Sequence, residues 1–423
     1  MILIVVDTLR ADHIGGYGYE RTTTPNLDDW MSGARRYDRA FATSSWTLPS
    51  FASMLTGRLP AEHGTGELVR RDGSPSFTSL DAQIPTLAER FRAHGAATGA
   101  IVTNAALSPV FGLDRGFDTY DYVPATTLQI RRAGISVQRA LAWIDEREGR
   151  PFFLLIHLFD PHMNYDPPTS YRGRFSAGYA TDLDYPISDT NAIRAAAGRL
   201  SADDRRFIAA AYDEEVAFVD DQLGILRSGL ARRGILEHGI VVLTSDHGEE
   251  LFEHGGFEHG HAMWQEVLRV PLLFWGPEVK PGGEVGAVSL VDLPATLAEA
   301  AGMSVPESFG GMSLWPNLTT EALLPERTLI AEGNLYGPQQ TAAIRWPLKA
   351  VWTSEAADNR FWNLATDPGE QAQAAPSDRD RAARLVAEVR LLNAAARARR
   401  GQSEPAEMDP TTRESLHSLG YVE

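Results

Sequence analysis

Five short apolar runs, Ile2–Val6, 99–102, 152–156, 240–244 and 272–275, limit the folds open to this chain more than any other feature. Each is nearly unbroken rather than alternating, which is how a strand buried on both faces reads. Helical patterns over 86–94, 137–147, 205–226 and 293–301 lie between them. Strands alternating with helices give an α/β sandwich with a large, mostly parallel central sheet flanked by helices. The runs are far shorter than the ~20 residues of a membrane span, so no transmembrane segment is expected.

Past about residue 320 the texture changes. Short strands over 328–331, 342–344 and 348–351 precede an Ala/Arg-rich helix from about 378 to 399. This predicts a small C-terminal α+β subdomain (321–423) with an antiparallel sheet, beside a catalytic domain over 1–320. Segment 163–200 is rich in Pro, Tyr, Gly and Asp and keeps no period. A stretch of that length is expected to be a lid or substrate insertion, or else an irregular surface excursion.

Composition narrows the chemistry. The net charge is -17, and Arg-Arg pairs at 35–36, 131–132, 205–206 and 232–233 are scattered as if at solvated helix ends. With no basic stripe, nucleic acid is not an expected partner. The absence of cysteine excludes a disulfide framework, a thiolate metal site and a cysteine nucleophile together. No signal peptide is visible, so a cytoplasmic location is expected for the sequence as written, and a periplasmic or secreted one if a leader was trimmed.

Ligands of open α/β sheets bind beyond the carboxyl ends of strands. There the sequence places Asp7-Thr8, Ser245-Asp246-His247-Gly248, and His157 followed by Asp160-Pro161-His162. Helix capping accounts for Asp7 or Asp246 taken singly. Oxygen and imidazole donors converging on one sheet edge instead suit a divalent cation. Residues 44–50 lead into a helix expected over 51–55, which sets a hydroxyl where amide groups and the helix dipole favour an anion. Such a hydroxyl is either a cap or a nucleophile activated by a cation.

These segments, in this order, resemble the sulfatase branch of the alkaline phosphatase superfamily. The resemblance rests on Asp7-Thr8-Leu9-Arg10-Ala11-Asp12, Thr47-Leu48-Pro49-Ser50, Leu55-Thr56-Gly57-Arg58, Asp160-Pro161-His162 and Ser245-Asp246-His247-Gly248-Glu249. Gly260-His261, Glu266, Arg269-Val270-Pro271, Asn363-Leu364 and Asp367-Pro368-Gly369-Glu370 extend it over nearly the whole chain. It implies an alkaline phosphatase-like sandwich and a metal site of Asp7, Asp246 and His247, with Thr47 at the nucleophile position also touching the metal. It places His162 where a residue contacts the substrate or protonates the leaving group. His261 falls near a catalytic Gly-Lys position, with His259 as a substitute on the substrate. One divalent ion (Mn, Zn, Ca or Mg) is expected. A second, held by Asp160, His162 and His261, is the alternative, although Asp-x-His is tighter than the spacing such a site uses.

Three departures from the family pattern bear on the substrate. Sulfatases carry Cys or Ser where this chain has Thr47, because that residue is oxidised to formylglycine; a threonine oxidised at Cβ gives a ketone, not an aldehyde. The Arg that follows Pro-Ser is Phe51 here, and the Gly-Lys-x-His signature reads Ile101-Val102-Thr103-Asn104. Two cationic contacts are therefore missing, and Thr103 and Asn104 are expected either to hydrogen-bond the substrate's non-bridging oxygens or to form a plain turn. Branches with an unmodified threonine act on phosphoesters, so the leading expectation is hydrolysis of a phosphodiester or phosphomonoester through a phosphothreonine. A sulfuric ester hydrolase without formylglycine, a phospho-group transferase and a catalytically silent binding module stand as alternatives. The expected partner is a small anionic ester, and a homo-oligomer remains open.

Overall fold

The computed structural model describes residues 1–71, 74–125, 130–353, 359–400 and 403–421. Nine strands form the central sheet: β1 (Ile2–Val6), β2 (Arg35–Phe41), β3 (Ala97–Thr103), β4 (Thr119–Val123), β5 (Phe152–Leu158), β6 (Val241–Thr244), β7 (Arg269–Val270), β8 (Leu272–Trp275) and β9 (Gly282–Ser289). Its centre runs β6-β1-β5-β3-β4, all parallel. On the other side β8 pairs antiparallel with β6 and with β2, and β9 returns parallel to β2. The sheet is thus mixed and mostly parallel.

Side chains alternate across a strand, and β1 shows why its apolar run is unbroken. Leu3 and Val5 enter one core with α1 (Thr47–Thr56), α2 (Leu87–Ala93) and residues of a later helix over 293–300. Ile2, Ile4 and Val6 enter the other, with α3 (Ala133–Asp145) and α4 (Ala202–Arg232). α4 opens with a capping box, in which Ser201 Oγ accepts the Asp204 N–H and the Asp204 carboxylate accepts the Ser201 N–H. Two readings of the sequence change. Arg35-Arg36 lies on β2, not at a helix end, and Arg131 is buried rather than solvated. The helix expected over 51–55 begins earlier, at Thr47.

Segment 163–200 is held against α4 and the loop after β6. Glu214 of α4 accepts the N–H groups of Phe175 and Ser176, and Arg194 pairs with Glu258. No helix among the described residues is long and apolar enough to cross a membrane.

After residue 320, β10 (Leu329–Glu332), β11 (Gln340–Arg345), β12 (Leu348–Thr353) and β13 (Arg360–Asn363) form an antiparallel sheet. On one face Trp352 and Phe361 pack with Leu385, Val386 and Val389 of α6 (Pro376–Arg399). On the other, Leu329, Ala331, Ala342, Ile344 and Val351 join the same core as Leu3 and Val5 of β1. A last helix, α7 (Pro410–Ser418), docks back on the main domain.

Lys349 of β12 is fully buried, and its Nζ lies 2.6 Å from Glu370 Oε1. The other oxygen of Glu370 accepts the Gln265 N–H at 2.8 Å, so the 367–370 motif carries a carboxylate to a buried cation and ties the subdomain to the loop after β6. His254, Glu266 and Glu370 also come close enough for a metal, but Lys349 already supplies the positive charge there. Removing one partner of a buried pair leaves the other uncompensated, so Lys349→Met is expected to cost about 3–5 kcal/mol in urea unfolding. The double variant Lys349→Met/Glu370→Gln should recover most of that loss; a further loss would reject the pairing.

Candidate active site

Asp7 directly follows β1, and the turn after it bends sharply: Thr8 adopts a positive φ of 55°. Tyr212 of α4 holds this turn, donating its hydroxyl to the Thr8 carbonyl and accepting the Arg10 N–H, each at 2.9 Å. Asp246 and His247 follow β6, the parallel neighbour of β1, so the two carboxylates meet at one sheet edge. The hydroxyl of Ser50, on α1, bonds the Asp246 carbonyl at 2.6 Å and sets Thr47, at the start of that helix, above them.

Asp7, Asp246 and His247 are all 0% exposed and present ligand atoms within 4.8 Å of one another. His247 Nδ1 donates to the Gly248 carbonyl at 2.9 Å, which leaves Nε2 as a lone pair. That lone pair faces Asp7 Oδ1 at 3.8 Å, Asp246 Oδ2 at 3.4 Å and Thr47 Oγ1 at 3.3 Å. Asp7 Oδ1 and Asp246 Oδ2 are buried without a hydrogen-bond partner among the described residues. Two carboxylate oxygens and an imidazole lone pair, with only the Thr47 hydroxyl among them able to donate, repel out of water unless a cation lies between them, so this ligand set fits a divalent metal ion. Titration agrees. Burial and then the charge of Asp7 push Asp246 up to about 6. Asp7 is held at about 2: burial raises it, but His162, His157 and His247 together outweigh burial.

The remaining side chains ring Thr47. Asn104 caps the turn after β3, accepting the Ala106 N–H at 2.9 Å, which turns its NH₂ group inward. Asn104 Nδ2 reaches Asp7 Oδ2 at 2.8 Å and Thr47 Oγ1 at 3.5 Å. His162 Nδ1 donates to the Met163 carbonyl at 2.6 Å, so its Nε2 is also a free acceptor, and burial lowers its pKa. The His259 ring lies tilted 4.4 Å from that of His247 and edge-on 5.0 Å from that of His162, with Nδ1 on Glu249 at 2.8 Å. Burial and then those two imidazoles drive its pKa well below the usual range.

Three expected residues lie elsewhere. His261 turns away: its Nε2 bonds Glu250 at 2.7 Å, because Gly260 between it and His259 takes φ +80° and reverses the chain. Thr103 precedes Asn104 on an extended strand, so their side chains point apart, and its hydroxyl accepts Arg131 Nε at 2.9 Å. Asp160, proposed for a second metal, is consumed in capping α3: it accepts the Ala133 N–H at 2.6 Å and pairs with Arg132 at 2.9 Å. The second-metal set of Asp160, His162 and His261 therefore does not assemble.

Two residues enter that had no role of their own in the sequence reading, although His157 stood among the strand-end donors. His157, a polar residue inside the apolar run of β5, lies 3.2 Å from Asp7 Oδ2; its position in the strand was the available signal. Tyr421, beyond α7, places its hydroxyl among Thr47, Asn104 and His162, and nothing local marks it. Phe51 packs edge-on against His157 at 5.3 Å and adds no charge. Among the described residues, no Lys or Arg makes a hydrogen bond or ion pair to Asp7, Thr47, Asn104, His162, Asp246, His247 or His259.

A family model described as Sulfatase matches residues 1–303. The chain is 24% identical over 443 aligned positions to an arylsulfatase of Clostridium perfringens, covering 88% of this chain and 89% of that one. Among solved structures, a 2-O GAG sulfatase superposes with a TM-score of 0.76 at 19% identity, over 98% of this chain and 95% of that one. The phosphonate monoester hydrolase of Agrobacterium radiobacter superposes with a TM-score of 0.72 at 19% identity, over 94% and 95%. At such identities the superpositions speak to the fold alone. The family match spans well over half of the chain and includes Asp7, Thr47, Asp246 and His247; the chain belongs to the sulfatase family, ester hydrolases of the sulfatase branch of the alkaline phosphatase superfamily.

Proposed function

We propose that this protein is a metal-dependent hydrolase of a phosphodiester or phosphomonoester, with Thr47 as the nucleophile. The observation that carries the reading is an unmodified threonine hydroxyl, 3.3 Å from the His247 lone pair, at a helix N-terminus facing two buried carboxylates with free oxygens. Asp7, Asp246, His247 and Thr47 would hold the ion, which would lower the hydroxyl's pKa and screen charge on the transferred group. Thr47 Oγ1 forms a bond to phosphorus as the bond to the leaving oxygen breaks. Once substrate binding releases Nε2 of His162 from the Tyr421 hydroxyl, 3.0 Å away, that nitrogen takes the Thr47 hydroxyl proton and returns it to the departing alkoxide. Water then cleaves the phosphothreonine, restoring the threonine and releasing phosphate or its monoester. Asn104 and His259 bind the non-bridging oxygens, and α1 offers its positive dipole end to them.

Threonine favours phosphorus over sulfur for a chemical reason. A phosphothreonine is open to attack by water at phosphorus, whereas a sulfated threonine lacks the easy release that a formylglycine hydrate provides. The test is a parallel assay of aryl phosphate, bis-aryl phosphate and aryl sulfate with Mn²⁺, Zn²⁺, Ca²⁺ or Mg²⁺. The expected result is metal-dependent turnover of a phosphoester at least ~100-fold faster than of the sulfate, about 3 kcal/mol in barrier. Preferential sulfate turnover by the unmodified threonine form would reject the reading.

A further inference from the structure

Tyr421 reaches the nucleophile from 374 residues away in sequence. The device that aims it is the end of α7. Gly420 takes φ +77°, its N–H bonds the His417 carbonyl at 3.0 Å, and the Tyr421 N–H bonds the Leu416 carbonyl at 2.8 Å. This is the paired closure that ends a helix at a left-handed glycine and turns the next residue back. Leu416 and Leu419 are buried in the main core, and Thr412 meets Ser108 of the turn after β3 at 3.3 Å, so α7 is anchored beside Asn104. The Tyr421 ring packs 6.0 Å from Trp46 and 6.2 Å from both His162 and His259, and the residue is 5% exposed.

Its hydroxyl lies 3.0 Å from His162 Nε2, 3.3 Å from Thr47 Oγ1 and 3.4 Å from Asn104 Nδ2. His162 Nε2 is the free acceptor, so Tyr421 donates to it and offers its own oxygen to Asn104. Packing alone does not require a phenol here: a phenylalanine would fill the same space. A donor is needed for another reason. Among the described residues no Lys or Arg contacts the site, and a neutral hydrogen bond is roughly half as strong as a charge-assisted one, so several must converge where a cationic side chain is missing.

Building on the phosphoester reading, we infer that Tyr421 is a substrate-contacting residue. Its hydroxyl turns from His162 to a non-bridging oxygen of the transferred group and, with Asn104, replaces the missing cationic contacts. Thr47 is 0% exposed, so the incoming ester displaces the phenol from Thr47 Oγ1 before accepting its hydrogen bond.

The experiment compares wild type with Tyr421→Phe and Tyr421→Ala, each loaded with the divalent ion, using bis-aryl phosphate turnover and calorimetric binding of orthovanadate. Loss of one donor to a developing oxyanion costs on the order of 10²-fold in kcat. The expected result for Tyr421→Phe is therefore a ~100-fold fall in kcat and clearly weaker vanadate binding, with KM and metal affinity little changed. Tyr421→Ala should be at least as slow. Turnover and vanadate affinity equal to wild type in Tyr421→Phe, or faster turnover in Tyr421→Ala, would mean the phenol only covers the site and would overturn the inference while leaving the phosphoester reading intact. A wild-type protein that neither hydrolyses phosphoesters nor binds vanadate would overturn that reading, and this inference with it.

Discussion

Thr47→Ala is expected to lower phosphoester turnover by about 10⁴-fold or more, because it removes the atom that forms the covalent bond. The hydroxyls of Ser50 and Ser44 do not rescue it: Ser50 Oγ is spent on the Asp246 carbonyl, and Ser44 Oγ on that of Gly333. Asp7, Asp246 and His247 remain, so the variant should still bind the divalent ion by calorimetry and unfold near the wild-type temperature. Thr47→Ser keeps the oxygen and should retain activity within about 10-fold, the cost being the lost methyl that limits rotation about χ1. Mass spectrometry of acid-quenched wild type should show the mass of one phosphoryl group on the peptide containing Thr47. Alanine turnover above a tenth of wild type would remove Thr47 from the nucleophile role.

Asp246→Asn should separate metal binding from stability. In the absence of the ion, Asp7 and Asp246 are two carboxylates sharing a site out of water, and burial with mutual repulsion pushes Asp246 up to about 6. At pH 8 its ionised form opposes folding. A raised folded-state pKa on a carboxyl means stability falls as pH rises from the unfolded value through the folded one. The metal-free variant is therefore expected to melt higher than metal-free wild type at pH 8, and the difference should shrink as pH falls through about 4 and below, where Asp246 becomes protonated in both states. With saturating divalent ion the order reverses: wild type gains stability by binding, and the variant, lacking one anionic ligand, gains little. Activity should fall by ~10³-fold or more at any attainable metal concentration. A variant that is less stable than wild type without metal, or that gains equally from it, would show that the cluster does not hold the ion.

The residues that combine into this site differ in how visible they were in the chain. Asp7, Asp246 and His247 stand directly after buried strands, and a parallel sheet brings such positions to one edge whatever lies between them. Thr47 was visible for a similar reason, as a hydroxyl ahead of a helix, although the helix begins at Thr47 itself rather than four residues later. His259 and His261 were not separable, since one left-handed glycine decides which imidazole faces His247. Thr103 and Asn104 were likewise grouped together, and strand parity divided them: one bonds Arg131, the other Asp7 and Thr47. β2 was missed because its Arg and Asp residues look like a solvated surface, while its pairing between β8 and β9 supplies the order that its composition does not.

By itself the sequence determined the layered α/β architecture, the strand ends that carry the candidate acidic and imidazole ligands, and the lack of any cysteine from which a sulfatase-type aldehyde is made. These follow from local patterns: apolar runs, the residues that end them, and composition. Only the tertiary structure decided that Asp160 caps α3, that His261 turns to Glu250, that no guanidinium reaches Thr47 among the described residues, and that Tyr421 does. Each of those outcomes depends on a single backbone reversal or on a hydrogen bond between residues far apart in the chain, and the energy of such contacts leaves no periodic trace in the order of residues.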